Sequence, residues 1–247
     1  MKEHEKPLVF HPNPPKMSGI RHANCRAVRI RELFDKDASA WSVCKTSSKS
    51  PVVRFELVES GMELTKEDLE SCINMVEATS GKDYRASSIG WHRSAKMEEM
   101  MDLEMIYLLL REDPKPSVTQ QYTPNPVSPP CAQSSRILGF LSFMLTNDDP
   151  PHQDREVVYI YEIHLDESLR RRGLGSALIR FAENAAHCCG ITKTMLTVFS
   201  ANAGARALYE RLGYGKDACS PRDKVMRRKV VKADYMIMSK ELGGFVA

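Results

Sequence analysis

Residues 170–176 read Arg-Arg-Arg-Gly-Leu-Gly-Ser, and the chemistry such a run offers is anion binding. The glycines at 173 and 175 let a ligand approach the backbone closely. The first N–H groups of a helix starting there have no carbonyl one turn earlier to bond. The helix dipole and the guanidinium groups pull in the same direction, so a pyrophosphate, which presents several acceptors at once, suits the site best. The dinucleotide pattern G-x-G-x-x-G is not met, because Leu178 stands where the third glycine would be.

Positioning this turn requires a strand before it and a helix after it. Residues 157–165 are rich in β-branched and aromatic side chains, and simple alternation sends Tyr159, Tyr161 and Ile163 to one face and Val158, Ile160 and Glu162 to the other. After the turn, Leu174, Leu178, Ile179 and Ala182 recur at helical spacing. Ahead of this unit the pattern predicts a basic surface helix over 18–41, with Ala27, Ile30 and Phe34 on one face, and a strand from residue 52 to 57. Thr65 and Asp68 form a capping box that opens an amphipathic helix carrying Leu69, Cys72, Ile73 and Val76 and ending near Gly81. A loop with exposed aromatic residues then spans 82–92, before a charged helix over 94–101. Further strands are expected at 105–110, 136–146, 191–199 and 235–238, and a helix capped by Asn202 carries Ala205, Leu208 and Tyr209 to Gly213. The proline-bearing stretch 112–135 reads as a disordered insertion, and the basic run 222–232 as a loop or sheet edge.

Arg-x-x-Gly-x-Gly between a strand and a helix, in this order of elements, resembles the acetyl-CoA signature of the GCN5-related N-acetyltransferases, the GNAT superfamily. The resemblance implies an α/β (α+β) fold: a mixed, mostly antiparallel central sheet with flanking helices and a β-α-β acetyl-CoA site. The domain would run over 51–241, with an N-terminal extension at 1–50 and a tail at 242–247. Three further stretches resemble the histone-specific N-alpha-acetyltransferase branch of that superfamily. They are Gly90-Trp91 followed by Glu98-Glu99-Met100, the run Tyr159-Ile160-Tyr161-Glu162, and 195–199 with Asn202 and Gly204. That branch acetylates the α-amine of histones beginning Ser-Gly-Arg-Gly, histones four and two-A. Ile89 stands where members of the branch carry a second tryptophan, and the acidic residue expected after the third strand has two candidates, Asp148 and Asp149.

The resemblance makes Glu162 and Tyr161 the catalytic candidates, with Glu162 as general base, directly or through one water. A peptide α-amine titrates near 7.7–8.0, so a modest pull suffices to free its lone pair. The alternative for a mid-strand glutamate is an ion pair with a neighbouring lysine or arginine. Acetyl-CoA, the co-substrate, is expected along the backbone of Ile163, His164 and Leu165, with Arg171, Arg172, Gly173, Leu174, Gly175 and Ser176 at its pyrophosphate and Asn202 beside it. Tyr84, Trp91, Tyr159, Tyr161, Thr197 and Tyr235 are the expected peptide-binding residues, and no metal is expected.

Composition limits the alternatives. The 247 residues carry 42% hydrophobic residues and a formal charge of +3, enough for one sizeable domain and too little charge for a general polyanion binder. No apolar run approaches the ~20 residues that span a bilayer. The seven cysteines show no zinc spacing and read as reduced thiols. The expected protein is a monomer of the cytoplasm and nucleus whose partners are coenzyme A and a histone N-terminal peptide, with no membrane and no nucleic acid required. Two other classes remain open: a GNAT enzyme acting on lysine side chains or small amines, and a non-catalytic chromatin-binding module using residues 222–232.

Overall fold

In the computed structural model, residues 20–41, 51–113, 135–227 and 229–243 are described. The insertion expected at 112–135 and the tail at 242–247 fall largely outside them. Five α-helices and nine strands occur among the described residues. In chain order they are α1 (Ile20–Trp41), β1 (Val53–Val58), α2 (Lys66–Ala86), α3 (Arg93–Met100), β2 (Ile106–Glu112), β3 (Ile137–Asn147), β4 (Glu156–Leu165), α4 (Leu174–Cys188), β5 (Lys193–Phe199), α5 (Ala203–Arg211), β6 (Gly215–Lys216), β7 (Lys224–Met226), β8 (Lys229–Val231) and β9 (Tyr235–Glu241).

Seven strands form one sheet in the order β1-β2-β3-β4-β5-β9-β6. All its pairings are antiparallel except β4 with β5, which α4 connects. The basic run 222–232 is a separate hairpin, β7–β8. Strand β2 is buried on both faces, as a nearly continuous apolar run requires. Ile106, Leu108 and Leu110 join the core shared with α1 and α4, whereas Tyr107 and Leu109 join the core shared with α2 and α3. Helix α1 docks on the domain: Ile30 is in the core, the ring of Phe34 meets that of Phe181 edge-on at 6.5 Å, and Arg26 reaches Glu156 at 2.7 Å.

Besides the β7–β8 hairpin, which replaces the loop or sheet edge expected at 222–232, two sequence expectations change. Helix α2 passes through Gly81, which is buried, and ends at Ala86, where Ser87 closes it by donating its N–H to the carbonyl of Tyr84. A single glycine costs only ~1 kcal/mol in a helix interior, less than the packing of this helix returns. Tyr84 therefore stands on a helix, not on a loop. The second change lies in β4, where the β3 register steps from Ser142↔Glu162 to Phe143↔Ile160 and leaves Tyr161 as the extra residue of a bulge. Past the bulge the alternation is reversed. Ile163 packs with Val158 and Ile160 against α4, and Glu162 faces the α2–α3 side together with His164.

Helix α2 starts as the capping pattern predicts, with Thr65 Oγ1 accepting from the N–H of Asp68 at 3.1 Å. The Asp68 carboxylate then takes both ends of the buried Arg111 guanidinium, at 2.7 and 2.8 Å. That bidentate bond holds the Asp68 carboxyl below its usual range. The stabilisation is present above pH ~4 and lost as pH falls through the depressed value. Asp68→Asn leaves the Arg111 guanidinium with Glu56, at 2.7 Å, as its carboxylate partner and is expected to cost about 1–3 kcal/mol, read as a lower urea midpoint at pH 7, with the difference from wild type shrinking in acid.

Candidate active site

Strands β4 and β5 pair only from Val158↔Thr194 to Ile160↔Leu196, although β4 continues to Leu165 and β5 to Phe199. Beyond Ile160 the two strands part, and the edge of β4 that β5 no longer covers faces the gap. Asp166 donates its N–H to Leu138 on β3, so by alternation the backbone of His164 also addresses β3. The backbone groups of Ile163 and Leu165 face the opening, and the Leu165 carbonyl accepts from Arg170 Nε at 3.0 Å.

At the end of that opening, Arg171 (φ 58°) and Gly173 (φ 79°) turn the chain into α4 with left-handed backbone. Gly173 occupies the N-cap without a side-chain cap, and a Cβ there would meet nothing within 4 Å. The N–H groups of Leu174, Gly175 and Ser176 therefore open the helix with no intrahelical carbonyl to bond. Arg171 and Arg172 are exposed beside them. An uncapped helix start, an open approach and two exposed arginines fit a pyrophosphate, and the parted strands fit an extended arm reaching it. Gly175 has a second duty, since its Cβ position lies 3.5 Å from Leu208 on α5. Asn202 caps α5, its Oδ1 accepting from the N–H of Ala205 at 3.1 Å.

On the α2–α3 side of the opening, Glu162 is 6% exposed and both its oxygens are occupied. Oε1 accepts from Tyr84 Oη at 2.8 Å and lies 2.6 Å from Lys96 Nζ. Oε2 lies 2.6 Å from His164 Nε2. Burial pushes the Glu162 carboxyl up, but the charge of Lys96 and the hydrogen bond from His164 outweigh it and hold the group well below the carboxylate range. Lys96 also contacts Glu99 at 2.5 Å, and its ammonium lies 5.4 Å from the centre of the Tyr84 ring. Desolvation works against the Lys96 charge, and the two glutamates more than compensate, keeping it protonated. Tyr84 is gripped by Trp91 at 5.3 Å and Phe199 at 4.9 Å.

Tyr161, half-buried, stacks obliquely on Tyr159 at 5.3 Å, and the Tyr159 hydroxyl shares a 2.5 Å hydrogen bond with Thr197 Oγ1. Desolvation first, then nearby carboxylates, push the Tyr161 hydroxyl above its usual range, so it stays protonated. Next to this pair, Asp149, Pro150, Cys219, Pro221, Tyr235 and Ile237 line a cleft of about 340 Å³. Of the two acidic candidates there, Asp148 is buried and bound to Lys193 Nζ at 2.7 Å, and Lys193 also holds Asp217 at 2.8 Å. Asp149 lines the cleft and makes no salt bridge among the described residues. Burial, with the neighbouring Asp148 and Asp217 charges behind it, raises its carboxyl. Asp148, Asp217 and Cys219 could meet a metal ion, but the Lys193 ammonium already sits on both carboxylates.

The fold thus gathers Tyr84, Trp91, Tyr159, Tyr161, Glu162 and Thr197 on one side of the strand opening, with Tyr235 in the adjoining cleft. Sequence reasoning missed Lys96, Glu99, Thr79 and Lys193. Lys96, Thr79 and Lys193 meet partners far away in the chain and stand in no recognisable motif, whereas Glu99, noted above only for its resemblance, pairs with Lys96 on its own helix.

Residues 97–214 match the profile described as the Acetyltransferase (GNAT) family. The fold is that of the GNAT acetyltransferases. NAA60 of Arabidopsis thaliana, crystallised with a bisubstrate analogue, superposes with a TM-score of 0.51 at 15% identity, covering 78% of this chain and 99% of that one. An acetyltransferase of Streptococcus agalactiae gives 0.50 at 12% identity, over 76% and 98%. In sequence, the chain is 27% identical over 174 residues to N-alpha-acetyltransferase 40 of Saccharomyces cerevisiae, covering 62% of this chain and 53% of that protein. It is 34% identical over 82 residues to the uncharacterized N-acetyltransferase YycN of Bacillus subtilis, over 33% and 49%. The chain spans about half the length of the curated relatives it matches. The acyl donor of the GNAT family is acetyl-CoA, and the parted strands and arginine-glycine turn are the features of this chain that fit it.

Lys96→Met would leave the Glu162 carboxylate buried without its nearest cation. A loss of ~3–5 kcal/mol is expected in chemical denaturation at pH 7. The Glu162 carboxyl, followed by NMR titration, should move upward from its depressed wild-type position.

Proposed function

We propose that this protein is an N-alpha-acetyltransferase of the NatD type, transferring acetyl from acetyl-CoA to the N-terminal amine of histone tails that begin Ser-Gly-Arg-Gly. The observation that carries the reading is the Asp149 cleft, a partly buried carboxylate that forms no salt bridge among the described residues, one stack of tyrosines away from Glu162. A basic residue shortly after a small N-terminus would meet that need, and the likeness to N-alpha-acetyltransferase 40 supports the same reading. The N-terminal amine would lie against Tyr161 and Glu162, and the first side chain against Tyr159 and Thr197, whose hydroxyls bond to each other and suit a small polar side chain such as serine. Selectivity then comes from the small space and from one charge placed a short reach away.

Acetyl-CoA supplies a thioester whose carbonyl carbon the amine attacks. The residues of this chain do the rest. Ile163 and Leu165 offer the β4 backbone edge that orients the pantetheine arm, while Arg171 to Ser176 bind its phosphates. Glu162, held ionised by Lys96, draws the ammonium or one intervening water into place and accepts its proton. Tyr161, kept protonated, can donate toward the departing sulfur.

The test is a peptide panel with purified chain and acetyl-CoA, with fragmentation of the product to locate the acetyl group. Acetyl on the α-amine of Ser-Gly-Arg-Gly, and none when Arg is replaced by Ala and Ser by Leu, is the expected result. Glu162→Gln should lower kcat at least ~100-fold. Asp149→Asn should raise the peptide KM about tenfold for Ser-Gly-Arg-Gly and leave the Arg-to-Ala peptide unchanged. Acetyl found only on lysine side chains would overturn the proposal.

A further inference from the structure

Residues 222–232 read Arg-Asp-Lys-Val-Met-Arg-Arg-Lys-Val-Val-Lys, six basic residues and one acidic in eleven positions. The whole chain carries a formal charge of only +3, so the rest of it is slightly acidic and the positive charge is gathered here. Neither the acyl-donor groove nor the cluster around Glu162 uses this run. It folds as the hairpin β7–β8, a two-stranded sheet separate from the main one. The base of the hairpin is fixed. Asp223 Oδ1 accepts from the N–H of Ala233 at 3.0 Å, Ser200 Oγ donates to the Ala233 carbonyl at 2.8 Å, and Ser88 donates both its N–H and its hydroxyl to the Asp234 carboxylate. Cys219 and Pro221 before the hairpin, and Tyr235 and Ile237 after it, line the Asp149 cleft, so the hairpin rises from the rim of that cleft.

Arg222, Arg227 and Lys232 are exposed, and none of them forms a salt bridge among the described residues. Val225 and Val230 stand opposite each other in the register, which puts them on one face, and they are 81% and 57% exposed. A peptide is the wrong occupant for such a surface. The tail proposed above carries an N-terminal ammonium and an arginine, and these cations repel it while Asp149 attracts it. A chain of phosphates removes the conflict by covering the cations. A two-stranded β-ribbon fits the ~12 Å major groove of B-form DNA, whereas the A-form groove of duplex RNA is too narrow for it. The run 222–232 holds no aromatic residue, so the stacking platform that single strands use is missing. The two valines suit sugar and thymine-methyl surface inside the groove.

We propose that the β7–β8 hairpin docks on duplex DNA, binding its phosphates through Arg222, Arg227 and Lys232, and so presents the Asp149 cleft to a basic tail lying on the same DNA. The DNA contact stands on the hairpin alone; the presentation of a tail rests on the histone reading above. From Arg222 to Arg227 the ribbon extends roughly 15 Å, enough to meet more than one phosphate. Charge and groove shape carry the contact, so it is independent of base sequence and weakens steeply with salt.

The experiment measures fluorescence anisotropy of a labelled duplex of about 20 base pairs with the full chain, in the absence of acetyl-CoA and peptide, between about 50 and 200 mM salt. Affinity is expected to fall several-hundred-fold over that range, as about five phosphate contacts require. Combining Arg222→Gln, Arg227→Gln and Lys232→Gln should weaken binding at least ~tenfold at the lower salt and flatten the salt dependence, with kcat on free Ser-Gly-Arg-Gly peptide unchanged. Arg222→Lys with Arg227→Lys keeps the charge and should bind within about twofold of wild type. Single-stranded RNA of the same length should bind at least ~tenfold more weakly than the duplex. No binding at the lower salt, wild-type binding by the glutamine variant, or RNA bound as tightly as duplex would each overturn the docking. A histone tail carried on the duplex should show kcat/KM about tenfold above the free tail, a gain lost in the glutamine variant; equal values would overturn the presentation of the tail. Acetyl found only on lysine side chains of the free peptide would instead remove the histone reading and leave the DNA contact standing.

Discussion

A carboxylate buried in the middle of a sheet must find its counter-charge within the protein, and Glu162 finds it on elements that are remote in sequence. Lys96 comes from α3, Tyr84 from α2 and His164 from the same strand, so one charged group ties the sheet to both helices on that face. Removing Lys96 would leave an uncompensated charge in low dielectric, a penalty far larger than the net worth of the pair. That constraint fixes where α2 and α3 sit, and with them the aromatic wall of Tyr84, Trp91 and Phe199.

The bulge at Tyr161 makes this possible. Without the extra residue Glu162 would point into the apolar core beside Ile160 and Leu178, where nothing could neutralise it. With it, Tyr161 and Glu162 both serve the α2–α3 side and Ile163 returns to the α4 core. The same strand stops pairing with β5 after Ile160, leaving an edge with backbone groups unsatisfied by the sheet. Bulge and divergence are neighbouring departures from regular pairing, and each supplies one half of the candidate site: the proposed acid–base group on one side and the proposed acyl-donor groove on the other.

Lys193 illustrates how a second buried charge set shapes the cleft lined by Asp149. By satisfying Asp148 and Asp217 it removes both from ligand binding and leaves Asp149 as the carboxylate that lines the opening with Tyr235. Two adjacent aspartates thereby acquire different roles, one as part of the scaffold and one facing the cleft, through a difference in what packs against them.

Much of this was legible in the chain. Hydrophobic spacing located the strands and helices because side-chain burial follows the periods 2 and 3.6. The arginine-glycine turn located the anion site because its chemistry is local: backbone geometry, helix start and charges lie within seven residues. The end of α2 was misread because packing overrode the glycine, and the face of Glu162 because a bulge depends on how β3 pairs, which β4 alone does not encode. Lys96, Thr79, His164 as a side chain, and the division of labour between Asp148 and Asp149 were decided only by tertiary structure. The physical reason is that a counter-charge or a hydrogen-bond partner is selected by distance in space, and residues such as Thr79 and His164, separated by 85 positions, meet only once the sheet and its helices have packed.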